Sequence, residues 1–245
     1  MVFPLSDDDS DRRTVPYVNY ALIAINVLVF VVFQRFGTND HFTYAWATVP
    51  EEIRTGHDIA EPVPVKDPLT GKEAEIPLEP TPISVYLTLL TSMFLHGGIA
   101  HILGNMWFLW IFGDNVEDAL GHVRYLLFYL VCGVLASLAH VASVLAFHDN
   151  TYIPSLGASG AISAVLGGYV LLFPTKRVTV ILGRVLTEVP AFVAVGIWFV
   201  FQVISGLGAL GDTRLSGIAY AAHVGGFVFG LALVRPFGIG RSLNS

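Results

Sequence analysis

Six apolar runs, at about 17–34, 99–113, 123–147, 159–173, 188–206 and 216–235, dominate the chain and are separated by polar stretches. Hydrophobic residues fill 54% of the 245 positions and charged residues only 13%, against roughly 25% charge in a soluble domain. One water-soluble core cannot hide that much apolar surface, so lipid is the expected solvent. The expected fold is all-α: one domain, a polytopic membrane protein with six transmembrane helices. A span usually needs about 20 residues, and the second and fourth runs are shorter. Short, glycine-rich helices suit the inside of a bundle, next to water. Pro174 closes the fourth run, because proline interrupts the helical ladder.

The segment Arg35–Pro82 breaks the pattern with seven prolines and nine acidic residues. It reads as a polar loop with short interfacial helices, within a long extracytoplasmic connection over 35–98. The opening stretch Met1–Arg13 is acidic and polar without an apolar core, so the first run reads as a retained span rather than a cleaved leader. The expected division is a tail over 1–16, a six-span domain over 17–235 and a second tail over 236–245. Cys132, the single cysteine, lies in an apolar run and reads as a packed thiol. The net charge of −6 argues against nucleic acid as a partner. With the N-terminus inside, Arg12, Arg13, Arg124, Lys176, Arg177, Arg184, Arg235 and Arg241 fall on the cytoplasmic side. Arg35, Arg54, Lys66, Lys72 and Arg214 stay outside, mostly in the long loop where the positive-inside rule is weak. Both termini are therefore expected inside, and the short tails point to a bacterial plasma membrane as the expected location.

Ionisable and amide side chains within spans are costly and mark function. His101 and Asn105 occur in the second run, His140 in the third and His223 in the sixth, while Ser159 opens the fourth within Gly157-Ala158-Ser159-Gly160. In the N-in orientation spans two, four and six all run inward. His101, Asn105 and Ser159 then lie near the outer ends, and His223 roughly 10 Å down. His101 and Asn105, four apart, share one helix face. Gly160, Ala164, Gly167 and Gly168 line span four, and Ala219, Gly226 and Gly230 lie on or beside the His223 face. Small residues let helices approach closely in lipid. Close approach is what a serine hydroxyl needs to reach an imidazole base. Asn105, His101 and the N–H groups around Gly157–Ser159 could serve a developing oxyanion.

Each residue alone has a plain alternative. Ser159 could cap or pack a helix, Asn105 could bond between helices, and His140 reads as a structural hydrogen-bonding group. His96, beside Gly97-Gly98, could simply order its loop. Convergence of four polar groups at one depth favours a site. A zinc protease would need His-Glu-x-x-His, and His96 and His101 are five apart with no carboxylate between. An aspartyl site needs paired membrane carboxylates; Asp212 follows Gly211 but Ala209 stands two before that glycine, and no second apolar run carries an aspartate. A transporter would show repeated halves and broken helices, and no such symmetry is present.

Together these motifs resemble the rhomboid family of intramembrane serine proteases. The matching stretches are His96-Gly97-Gly98-Ile99-Ala100-His101-Ile102-Leu103-Gly104-Asn105, Gly113-x-x-x-Glu117-x-x-x-Gly121, Gly157-Ala158-Ser159-Gly160 and Ala222-His223-Val224-Gly225-Gly226-Phe227. The resemblance covers about residues 15–235. It implies a Ser159–His223 dyad without an acidic third member, oxyanion donors Asn105 and His101, a structural Glu117, single-span membrane protein substrates, and no cofactor or metal. The alternative is a non-catalytic relative that binds membrane proteins. Two positions depart from patterns found in some rhomboids. Ser163 stands where an aromatic would stack on the histidine, so another group must hold His223. Trp46 is followed by Ala47 rather than arginine, so the long loop is anchored differently.

Overall fold

The computed structural model describes residues 2–66, 73–183, 185–209 and 220–239. A strand, β1 (Val2–Asp7), leads into α1 (Tyr17–Leu28), which runs on through a π-helical turn over Val29–Phe33. The long connection holds α2 (Asp40–Trp46), α3 (Pro50–Thr55), a hairpin of β2 (Val63–Lys66) and β3 (Glu73–Ile76), and short turns including α4 (Thr88–Thr91). Helices α5 (Ile99–Leu120), α6 (His122–Phe147) and α7 (Ser159–Leu172) follow. A second hairpin, β4 (Arg177–Leu182) and β5 (Val185–Pro190), precedes α8 (Ala191–Ala209) and α9 (Tyr220–Phe237).

The protein is mostly helical, but the all-α expectation needs correction. β1 pairs antiparallel with β4, and β4 with β5, in one three-stranded sheet. Phe3 pairs with Ile181 across that sheet, a partner far away in the chain, so no local pattern announces the strand. Two helix boundaries also move. The fifth run, expected from 188, starts its helix at Ala191, because Glu188–Pro190 belong to β5 and proline has no N–H to donate. The second, expected to end near 113, continues to Leu120. Hydropathy falls there because the last two turns carry Asp114, Asn115 and Glu117, all buried and all partnered. Arg12 pairs with Asp114. The Asn115 amide donates to Asp7 Oδ2 at 2.8 Å. The Glu117 carboxylate accepts from the Val18 and Asn19 N–H groups, at 3.0 and 2.7 Å, and meets His122 Nδ1 at 2.5 Å. Glu117 thus satisfies two of the free donors at the start of α1. The sixth run, expected from 216, is seen from Tyr220. Ala219 with Gly211, Asp212 and Arg214 lies outside the described residues, as do Lys72, Arg184 and Arg241.

Among the described residues, α6 and α9 are long and apolar enough to cross a membrane. A third span is possible by the same criterion if the turns over Val85–Phe94 and α5, bent by 80°, count as one broken span. α7 is the hub. Gly160 through Tyr169 are all buried, so this short helix is covered on every side by protein rather than lipid. Its contact with α9 is made by backbone. A Cβ at Gly226 would collide with the Gly160 carbonyl oxygen, one at Gly230 with the Ala164 carbonyl and one at Gly167 with the Phe227 carbonyl. These are the small residues that the apolar runs single out, and they set how near Ser159 stands to His223.

Candidate active site

Ser159 is the first residue of α7, where backbone N–H groups have no intrahelical acceptor. His223 sits one turn into α9. With the two helices held backbone to backbone, Ser159 Oγ lies 2.7 Å from His223 Nε2. The other ring nitrogen, Nδ1, lies 2.9 Å from Oε1 of Gln202 on α8. An amide oxygen can only accept, so Nδ1 carries the proton and Nε2 presents its lone pair to the hydroxyl. Such a pair can take the proton of Oγ as the oxygen attacks an electrophile.

His101 stands on the other side of Gly157 from Ser159. The Gly97 N–H donates to His101 Nδ1 at 3.3 Å, which leaves the ring proton on Nε2. That nitrogen faces Gly157: a Cβ built there would stand 2.9 Å from His101 Nε2 and 3.7 Å from Ser159 Oγ. Gly157 has φ of +127°, so glycine supplies both the backbone turn and the vacant space between the two groups. Asn105, one turn further along α5, is buried, and its amide nitrogen finds no partner among the described residues. Buried donors are normally paired, so an unpaired amide on the His101 face is a candidate for an oxygen that arrives with a ligand. The Gly157 N–H is already committed to the Ser92 carbonyl at 2.9 Å. Of the backbone donors expected around Gly157–Ser159, that one is spoken for.

His96 is fully buried, packed edge-on against His101 with ring centroids 5.1 Å apart. Its peptide is gripped by the Gln34 side chain, which accepts from the His96 N–H and donates to its carbonyl. His140 lies on α6, partly buried. Cys132 is a free, buried thiol.

The loop before Ser159 is stitched to the long connection. Thr48 and Ser155 exchange backbone hydrogen bonds at 3.0 and 2.8 Å. The Thr48 hydroxyl sits 2.8 Å from the Thr88 carbonyl and 2.9 Å from Ser92 Oγ. Ala47, in place of the arginine of some rhomboids, is wholly buried beside this stitch. Ser163, in place of the stacking aromatic, donates to the Ser159 carbonyl at 2.6 Å, so it tightens the first turn of α7. Among the described residues the partner that holds His223 is Gln202, with Trp198 and Tyr220 around the ring at centroid distances of 6.4 and 6.3 Å. Sequence reasoning missed Gln202, Thr48 and Ser92. Gln202 was within reach, as a polar side chain inside an apolar run.

Fold and site together define a helical protein with a serine–histidine pair formed between two glycine-packed helices. Residues 84–238 match the family model of the Rhomboid domain, and the chain belongs to the Rhomboid family. It is an integral membrane protein. It is 32% identical over 154 residues to rhomboid protease GluP of Bacillus subtilis (strain 168), covering 63% of this chain and 26% of that protein. It is 32% identical over 150 residues to the mitochondrial presenilin-associated rhomboid-like protein of Mus musculus, covering 58% and 36%. With RHOMBOID-like protein 4 of Arabidopsis thaliana it shares 34% identity over 160 residues, covering 60% and 34%. The aligned part thus spans between about a quarter and a third of each of these relatives.

Proposed function

We propose that this chain is an intramembrane serine endopeptidase that cleaves transmembrane helices of single-span membrane proteins near the extracytoplasmic side. Ser159 is the nucleophile, His223 the base, and Asn105 and His101 the oxyanion donors. The observation that carries this reading is the 2.7 Å contact between Ser159 Oγ and His223 Nε2. In this reading α1, α5, α6, α7, α8 and α9 are the six spans of a domain over 17–235, with both termini cytoplasmic and the connection over 35–98 outside.

The chemistry uses groups the chain carries. His223 Nε2 takes the Oγ proton as Oγ bonds to the scissile carbonyl carbon. Negative charge moves to the carbonyl oxygen, where His101 Nε2–H and the free Asn105 amide can receive it. The imidazolium then protonates the departing amine, the C–N bond breaks and an acyl-enzyme remains on Oγ. Water, deprotonated by His223, releases the new carboxylate and restores the serine.

The test is a set of Ser159→Ala, His223→Ala and double variants of the purified protein against a panel of single-span substrates, with products read by mass spectrometry. Each single change should abolish turnover, and the double should be no worse, because the two groups act as one unit. Cuts should fall in the outer part of the substrate helix. Wild-type protein that binds these substrates without cutting any of them would instead support the non-catalytic alternative.

A further inference from the structure

Resting on the Ser159–His223 reading, we infer that Gln202 is a positioning residue for the reaction: it accepts the Nδ1–H of His223 and so holds the imidazole in the one tautomer that can act as base. The geometry is specific. Gln202 is a buried amide inside the apolar helix α8, its Oε1 lies 2.9 Å from His223 Nδ1, and Nε2 of the same ring lies 2.7 Å from Ser159 Oγ. The three side chains come from three different helices, α8, α9 and α7, and form one line of hydrogen bonds.

A neutral imidazole has one proton for two nitrogens. If that proton sits on Nε2, the ring donates to Oγ and cannot take its proton. If it sits on Nδ1, Nε2 is the acceptor the reaction requires. An acceptor fixed at Nδ1 selects the second state, and it also stabilises the imidazolium that forms when the proton moves. Placing a histidine in the wrong tautomer costs a serine hydrolase up to about 10⁴ in rate. Ser163, at the position from which an aromatic could stack on the ring, bonds instead to the Ser159 carbonyl. Gln202 therefore supplies from α8 the orientation that α7 does not. It touches no reacting atom and acts only through His223.

Two substitutions separate positioning from packing. Gln202→Met keeps volume and burial but has no acceptor of comparable strength. Gln202→Glu keeps an acceptor and adds negative charge beside the ring. The other ionisable groups that act on His223 are His101 on α5 and His140 on α6, with Ser159 and the Tyr220 ring in contact or beside it. A new carboxylate at position 202 would thus be the nearest acidic group to the imidazole among the described residues. Both variants are purified as the full chain in detergent. The rate constant for labelling by a fluorophosphonate is measured from pH 5 to 9, alongside thermal melting and cleavage of one single-span substrate.

The Met variant should label and cleave at least tenfold more slowly at every pH while melting close to wild type. The Glu variant should retain labelling on its alkaline plateau, with the acidic limb of its profile displaced upward by about one pH unit or more, since an adjacent carboxylate favours the imidazolium. A Met variant that melts lower but labels at the wild-type rate would overturn the inference. So would a Glu variant whose acidic limb does not move. Failure of the underlying reading is separate: wild-type protein would then resist the probe, or His223→Ala would label as fast as wild type.

Discussion

Replacing Gly226 by alanine adds one methyl group at the place where α9 touches α7. An ideal Cβ at this position falls on the Gly160 carbonyl oxygen and stands 3.3 Å from the Ala136 Cβ of α6. The first contact is roughly 1 Å or more inside normal van der Waals separation, and Ala136 blocks an escape by rotation toward α6. The helices must therefore move apart by about that amount. Gly160 follows Ser159 directly, and Gly226 lies one turn beyond His223, so the displacement is applied at the pair itself. A contact of 2.7 Å would open beyond hydrogen-bond length. A misplacement of about 1 Å can cost roughly 10² in rate, and overpacking about 1–3 kcal/mol in stability. Gly196→Ala on α8 is the control, because a Cβ there meets nothing within 4 Å. It should leave the rate unchanged and stabilise by up to about 1 kcal/mol through helix propensity. Fluorophosphonate labelling and thermal melting of both variants, with substrate cleavage beside them, measure the two effects. A Gly226→Ala protein that melts near wild type and labels at the wild-type rate would refute the claim that backbone contact sets the Ser159–His223 distance.

Two further outcomes follow from single side chains. Asn105→Ala should slow cleavage by roughly 10²–10³ with substrate binding nearly unchanged, as for loss of one oxyanion donor; a lower melting temperature with an unchanged rate per folded molecule would assign the amide to helix packing instead. In the long connection, burial raises the Glu52 carboxyl from 4.5 to about 7, while its Oε1 accepts the Ile59 N–H at 3.1 Å. The stability that protonated Glu52 contributes is complete below about 4.5 and is lost as pH rises through about 7. Proteolysis at Arg54 should therefore be faster at pH 8 than at pH 6 in the wild type, and the difference should shrink in Glu52→Gln. Equal wild-type rates at the two pH values would sink the assignment.

What could be read from the amino-acid sequence follows from what lipid penalises. His101, Asn105, Ser159 and His223 stand out because each is polar inside an apolar run, and such placement is costly without a purpose. Gly160, Gly167, Gly226 and Gly230 stand out because small residues at helical spacing permit close approach. Both signals are local, and the structure packs α7 against α9 through these same residues. The end of α5 was hidden because Asp114, Asn115 and Glu117 look like a loop to a hydropathy profile, although each is buried against a partner from the first nineteen residues. β1 was hidden for a related reason: its hydrogen bonds go to β4, more than a hundred residues away, and its sequence is polar at one end.

Gln202 shows where local reasoning stops. The serine at 163 already indicates that the imidazole lacks a stacking ring from α7, so the chain states that a substitute is needed. It does not state which helix supplies it. A side chain reaches a ring on a neighbouring helix only when crossing angle, rotation and depth all agree, and those are properties of the packed bundle. The glycine contacts fix α9 against α7, and α8 comes to α9 through the Phe199–Phe227 stack at 4.3 Å. That stack lies three residues before Gln202 on α8 and four after His223 on α9, about one turn from each. On antiparallel neighbours, offsets of three and four residues in opposite chain directions bring the two polar side chains to nearly one level. The aromatic pair thus sets the register in which the amide oxygen meets Nδ1, and a polar contact that no single run of sequence encodes follows from an apolar one beside it.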